Sequence, residues 1–147
     1  RGAVASLERA VVLAEDLVSA LQVPPQDNSS MDGYAVRSAE IADEGVLLPV
    51  SQRIPAGSAA APLAPGSAAR IFTGAPVPEG ADAIVMQEDT EAVDGDRVRI
   101  LRAPAPGQWI RRSGEDVLRG SVVLARGERL TAPATGLAAS IGRARLM

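Results

Sequence analysis

The sequence contains no cysteine and no histidine, which excludes thiolate nucleophiles, imidazole bases, disulfides and the usual zinc ligand sets together. Any chemistry must come from Asp, Glu, Ser, Thr, Arg and backbone amides. Aromatic residues make up 2% of the chain, so its 46% hydrophobic content must form a core from Ala, Val, Leu and Ile. Lysine is also absent, and all 15 basic residues are Arg, each able to fork onto a carboxylate or an oxyanion. The 18 acidic residues outnumber them to give a net charge of −3, so the basic excess that a general nucleic-acid binder needs is missing. No charge-free apolar run approaches the length of a membrane span, and no signal-peptide pattern opens the chain. The expectation is a cytoplasmic protein with neither a nucleic-acid nor a membrane partner.

A length of 147 residues suits one domain or two small ones. Residue 1 is Arg and not Met, and the strand-like alternation of Ala144 to Met147 meets no turn signal, so a segment of a longer protein is expected. Near the start, Ser6 precedes Leu7, Val11, Ala14, Leu17 and Leu21 at helical spacing, which predicts a capped helix reaching about Val12. The β-branched Val11, Val12, Val18 and Val23 ahead of Pro24 and Pro25 leave an extended segment open as the alternative.

From Gln26 to Gly114 short apolar runs alternate with Gly and Pro, the pattern of a small β unit. Its clearest element is a hairpin in which Ala83 to Val93 leads into Asp94 and Gly95, and Arg97 to Leu101 returns with Val98 and Ile100 on one face. Asp-Gly is preferred in tight type I′ turns. After Gly114, Thr131 followed by Pro133 predicts a capped helix that Gly142 ends. The fold class expected is therefore mixed α/β, with a discontinuous linker domain of helices and short strands built from 1–27 and 111–147. A small β-rich, barrel-like domain, 28–110, would be inserted in it, with boundaries good to about ten residues.

Three stretches crowd small residues around an acid or a hydroxyl. In D-N-S-S-M-D-G-Y-A-V, Asp27 to Val36, Asp32 beside Gly33 can reach a hard cation such as Mg²⁺ without steric obstruction, with Ser30 close by. A turn carboxylate bonding its own backbone is the simpler alternative. In F-T-G-A-P-V-P, Phe72 to Pro78, Thr73 and Gly74 can offer a hydroxyl and an N–H to an oxyanion, whereas the alternative is a strand end followed by a Pro-stiffened turn. In I-R-R-S-G-E-D-V, Ile110 to Val117, Arg111 and Arg112 can bind an anion, and the carboxylate pair Glu115 and Asp116 can hold a metal or orient a substrate group. Surface salt bridges among these charges are the alternative, and Trp109 is expected to pack at a domain junction.

Taken together these stretches resemble the molybdopterin molybdenumtransferase family, which includes bacterial MoeA and the E domain of gephyrin. The resemblance is carried by V-L-A-E-D-L at Val12 to Leu17, N-S-S-M-D-G-Y-A-V at Asn28 to Val36, and T-G-A-P-V-P-E-G-A-D-A-I-V-M-Q-E at Thr73 to Glu88. R-R-S-G-E-D at Arg111 to Asp116 and V-V-L-A-R-G-E-R-L-T at Val122 to Thr131 follow in the same order. Gln26 stands where many relatives carry an aromatic residue.

The resemblance implies a molybdenum transferase that inserts molybdate into adenylyl-molybdopterin, giving molybdenum cofactor and AMP with Mg²⁺ assistance. It assigns functional, catalytic roles to Asp32, Thr73 and Asp116, of which Asp32 and Asp116 would bind metal; Ser30, Gly74, Arg111 and Arg112 are the cofactor-binding residues expected beside them. A homodimer of the full-length protein is implied, with molybdopterin adenylyltransferase acting upstream. The chain corresponds to roughly the first two fifths of a typical member, whose pterin-binding α/β domain and C-terminal β-barrel lie beyond it, so on its own it is expected to be inactive. A gephyrin-like scaffold or dimerisation module, without catalysis, is the alternative reading.

Overall fold

The computed structural model describes residues 11–143 and 145. In chain order the elements are β1 (Leu17–Val18), β2 (Asn28–Ser29), β3 (Gly33–Val36), β4 (Leu47–Ile54), β5 (Ala68–Ile71) and β6 (Ala83–Met86). They continue with β7 (Thr90–Val93), β8 (Arg97–Ile100), β9 (Ile110–Arg111), β10 (Val122–Leu124) and one helix, α1 (Ala132–Ser140). The architecture is mixed α/β and mostly sheet. Contacts divide it into two compact units, a central one of Gln26–Ser113 and a terminal one of Arg1–Pro25 with Gly114–Met147.

The central unit is organised by a six-stranded sheet in the order β6-β3-β5-β4-β8-β7. All neighbours are antiparallel except β4 and β5, which run parallel. Side chains of a strand alternate between faces, and here each face has its own apolar cluster. Ala35, Ile54, Leu63, Ala69, Ile71 and Ile84 belong to one, while Val36, Ile41, Leu48, Ala68, Ala83, Val85, Val98 and Ile100 belong to the other. Strands β3, β5 and β6 contribute to both, which explains why β6 reads as a continuous apolar run. Many Ala contacts take the place of large rings.

The hairpin differs from its expected form. Gln87–Asp89 forms a 3-10 turn that breaks the long arm, so β6 pairs with β3 and only β7 continues to β8. Burial accounts for the break, because Ala83, Ile84 and Val85 are buried whereas Glu91 and Ala92 are exposed. Val93 pairs with Arg97, leaving a three-residue connection in which Asp94 and Gly95 both take left-handed φ, 49° and 75°. The ladder order ends on β6 and β7; among the described residues the sheet is open where a barrel-like form was expected.

In the terminal unit β1 pairs with β10, and isolated bridges join Val12 to Arg129 and Val23 to Val117. Thr131 caps α1 by accepting from the Ala134 N–H at 3.4 Å, with Pro in the first turn, and Gly142 follows with φ 81°. The helix turns Ala134 and Ala138 onto Leu13, Leu17, Val117 and Leu124. The predicted first helix falls mainly on residues 1–10, outside the described residues. Further along, Val12 and Leu17–Val18 lie in extended pairs and not in a helix, as the β-branched Val12 and Val18 favour. The plural helices of the expected linker domain reduce to α1 among the described residues.

Candidate active site

Antiparallel pairing sets the geometry of the site before any side chain is considered. Gly33, the first residue of β3, lies opposite Ile71, the last residue of β5. Asp32 immediately precedes β3 and Thr73 follows β5 by one further residue, so both fall at the same end of the sheet. Thr73 donates its backbone N–H and its hydroxyl to the same oxygen, Oδ1 of Asp32, at 2.8 and 2.7 Å. Both residues are exposed.

The two loops are braced by Ser29, a buried residue of β2. Its hydroxyl donates to the Met31 carbonyl at 2.5 Å. Its carbonyl accepts the Gly74 N–H at 2.8 Å, and its own N–H donates to Ala75 at 3.0 Å. Gly74 takes φ 80°, a conformation that costs glycine little. Gly33 is fixed by space instead, because a Cβ there would lie 2.0 Å from the Val85 carbonyl oxygen. The sequence M-D-G thus combines an exposed carboxylate with the close strand approach that anchors it.

Charge at Asp32 is favoured by its surroundings. The Thr73 N–H holds its carboxyl below the usual range, followed by the Thr73 hydroxyl, against slight desolvation and with help from the Arg70 charge. Arg70 donates to the Gly33 carbonyl at 3.3 Å and to the Gln87 side chain. Its role was not foreseen, since it reaches the site only through cross-strand pairing with Tyr34. The expected oxyanion cradle takes another form: the donors of Thr73 go to Asp32 and the Gly74 N–H goes to Ser29. The loop therefore aims an ionised carboxylate.

The remaining candidates have defined places. Ser30 is exposed, and its N–H donates to the Trp109 carbonyl at 3.0 Å. Trp109 itself is 40% exposed, which does not fit the packed residue expected. Arg111 lies in β9 opposite Asn28. Arg112 donates to Asp27 at 2.6 Å, and the Ser113 N–H donates to the other oxygen of that carboxylate at 2.8 Å. Asp27 opens the D-N-S-S stretch but was not singled out; its partners lie 85 and 86 residues away in sequence. Asp116 belongs to the terminal unit, where its N–H and that of Val117 both donate to the Val23 carbonyl. Asp32 and Thr73 are thus brought into direct contact, and Asp116 is part of a separate body.

No group of three or more acidic side chains capable of enclosing a metal occurs among the described residues. A Mg²⁺ ion does not require one, because it commonly takes one or two carboxylates and completes its shell with water and substrate phosphate. Both Thr73 bonds fall on Oδ1 of Asp32, leaving Oδ2 outside them on an exposed, ionised group. That donor set fits the ion. Among the described residues no helix is long and apolar enough to cross a membrane.

The family described as MoeA N-terminal region (domain I and II) matches residues 3–142. A molybdopterin molybdenumtransferase 2 of Mycobacterium tuberculosis is 49% identical over 143 residues, covering 92% of this chain and 35% of that protein. A molybdopterin molybdenumtransferase of Haemophilus influenzae is 43% identical over 132 residues, covering 89% and 32%. The crystal structure of a molybdopterin biosynthesis MoeA protein from Pyrococcus horikoshii superposes with a TM-score of 0.86 at 37% identity, covering 95% of this chain and 38% of its own. The chain spans about a third of the length of these curated relatives.

Proposed function

Since this chain belongs to the MoeA family, matching its N-terminal region, we propose that it forms part of an enzyme inserting molybdate into adenylyl-molybdopterin, yielding molybdenum cofactor and AMP. The observation that supports this reading is the Asp32–Thr73 pair, formed by two of the segments that carry the family resemblance. Asp32 would hold Mg²⁺ through Oδ2. When bound, that ion polarises a phosphoryl oxygen and offsets charge developing as AMP leaves.

Thr73 acts on Asp32 in this reading. Its two donated bonds fix the carboxylate's orientation and keep it ionised, so that a hard cation meets a charged oxygen without a proton first being removed. The exposed Ser30 side chain, Gly74, Arg111 and Arg112 are proposed substrate contacts, and Asp116 is a second proposed metal-binding carboxylate. The substrate itself must come from adenylyl transfer onto molybdopterin, by a molybdopterin adenylyltransferase. The full-length protein is proposed to work as a cytoplasmic homodimer, since a two-fold arrangement lets each subunit give and receive the same surface.

The test is Asp32→Asn in the full-length protein, assayed for AMP release with adenylyl-molybdopterin, molybdate and Mg²⁺. An amide keeps the shape and loses the charge, so turnover should fall about 100-fold or more, with the melting temperature little changed because Asp32 is exposed. Wild-type turnover by the folded variant would overturn the assignment.

A further inference from the structure

A cavity of about 320 Å³ in the central unit is lined by three arginines, Arg53, Arg70 and Arg97, together with Tyr34 and Ser51. Strand register gathers them. Tyr34 and Arg53 each lie opposite Arg70, on the strands either side of it, and directly opposed residues share a face of the sheet. The Arg70 guanidinium sits 5.0 Å from the Tyr34 ring centroid. Both Arg53 and Arg70 also flank the Phe72 ring, at 4.4 and 4.9 Å.

Charge in this cavity is only partly balanced. Arg97 pairs with Asp94 at 2.5 Å, and Asp96 lines the same space. Among the described residues neither Arg53 nor Arg70 has a carboxylate within ion-pair distance. The bonds of Arg70 go to a carbonyl and an amide oxygen, neutral acceptors, and its charge acts on Asp32 without forming an ion pair. Two like charges beside one ring repel, and a guanidinium stacked by its face keeps N–H donors at its edge for a forked oxyanion. The cavity volume is also that of a small-molecule site.

We propose that this cavity binds a phosphate-class dianion, as inorganic phosphate, pyrophosphate or the phosphate group of a small molecule, through the Arg53 and Arg70 guanidinium groups. The proposal needs no metal and shares with the molybdate-inserting reading only Arg70, whose charge also acts on Asp32.

Pyrophosphate is titrated into the ¹⁵N-labelled 147-residue chain in low-salt buffer containing EDTA, following the Arg Nε–H signals by NMR. Saturable shifts at Arg53 and Arg70 are expected, with affinity at least about tenfold weaker in R53Q and R70Q and unchanged in R126Q, which lies outside the cavity. Far-UV circular dichroism checks each variant. Arg53 is exposed, and among the described residues its side chain makes only a ring contact, so R53Q decides the matter even if R70Q fails to fold. Absence of saturation at millimolar pyrophosphate, or unchanged affinity in folded R53Q, overturns the proposal. Equal affinity for succinate overturns the phosphate assignment.

Discussion

Thr73 gives two hydrogen bonds to a single oxygen of Asp32, one from its backbone and one from its side chain. Only the second can be removed by substitution. Thr73→Val should leave the N–H bond in place and raise the Asp32 pKa toward its ordinary value, because the hydroxyl is the second of the two bonds holding it down. Carboxyl carbon NMR titration of Asp32 reads this directly. An unchanged midpoint would show that the Thr73 hydroxyl does not govern the charge of its neighbour.

Gly33→Ala places a methyl group where the Val85 carbonyl already stands. The clash is with backbone, so β3 and β6 must separate at the point where their ladder begins. A loss of about 1–3 kcal/mol or more is expected, measured as a lower midpoint in urea unfolding. Asp32 is coupled to the same ladder through its carbonyl, which accepts the Gln87 N–H at 3.0 Å. The variant should therefore also move the Asp32 and Thr73 amide signals.

Asp82 and Asp27 link stability to acid pH. Burial pushes the Asp82 carboxyl up, but the Ser38 N–H and hydroxyl outweigh it and hold the group below its ordinary value. Asp27 is held low mainly by the Ser113 N–H, against burial and with help from Arg112. A depressed folded pKa means that the unfolded chain takes up protons first as pH drops. The stabilisation is thus complete above the ordinary Asp value near 4 and disappears as pH falls through the folded value. Thermal melts between pH 7 and pH 2 should show this fall, and Asp82→Asn should flatten it. A variant with the wild-type slope would remove Asp82 from the account.

Activity of the 147-residue chain by itself should be undetectable. Its candidate stretches supply acids and a hydroxyl, and it spans about a third of the relatives' length. AMP release from adenylyl-molybdopterin, compared with that of the full-length protein, checks this. Comparable turnover would place the catalytic apparatus within these residues.

Features that depend on a few neighbouring residues were legible in the sequence. Asp94 and Gly95 both adopt the left-handed φ that Asp-Gly predicts, and Thr131, Pro133 and Gly142 bracket α1 as cap, first turn and stop. The break at Gln87–Asp89 was not legible, because it follows from β6 finding its partner in β3. The site shows the same division. Asp32 and Thr73 each stood out from local pattern, yet their bond joins residues 41 apart, and Arg70 carried no local signal at all.

The close approach at Gly33 bears on how the Asp32–Thr73 geometry endures. Strands β3 and β5 lie inside the sheet and are largely buried, the kind of segment whose amides exchange with solvent only when a whole domain opens. The carboxylate and the threonine lie just past the ends of those strands, in exposed loops that would otherwise fray independently. Tied to these inner strands, the pair should keep its spacing through local fluctuations and lose it when the unit as a whole unfolds.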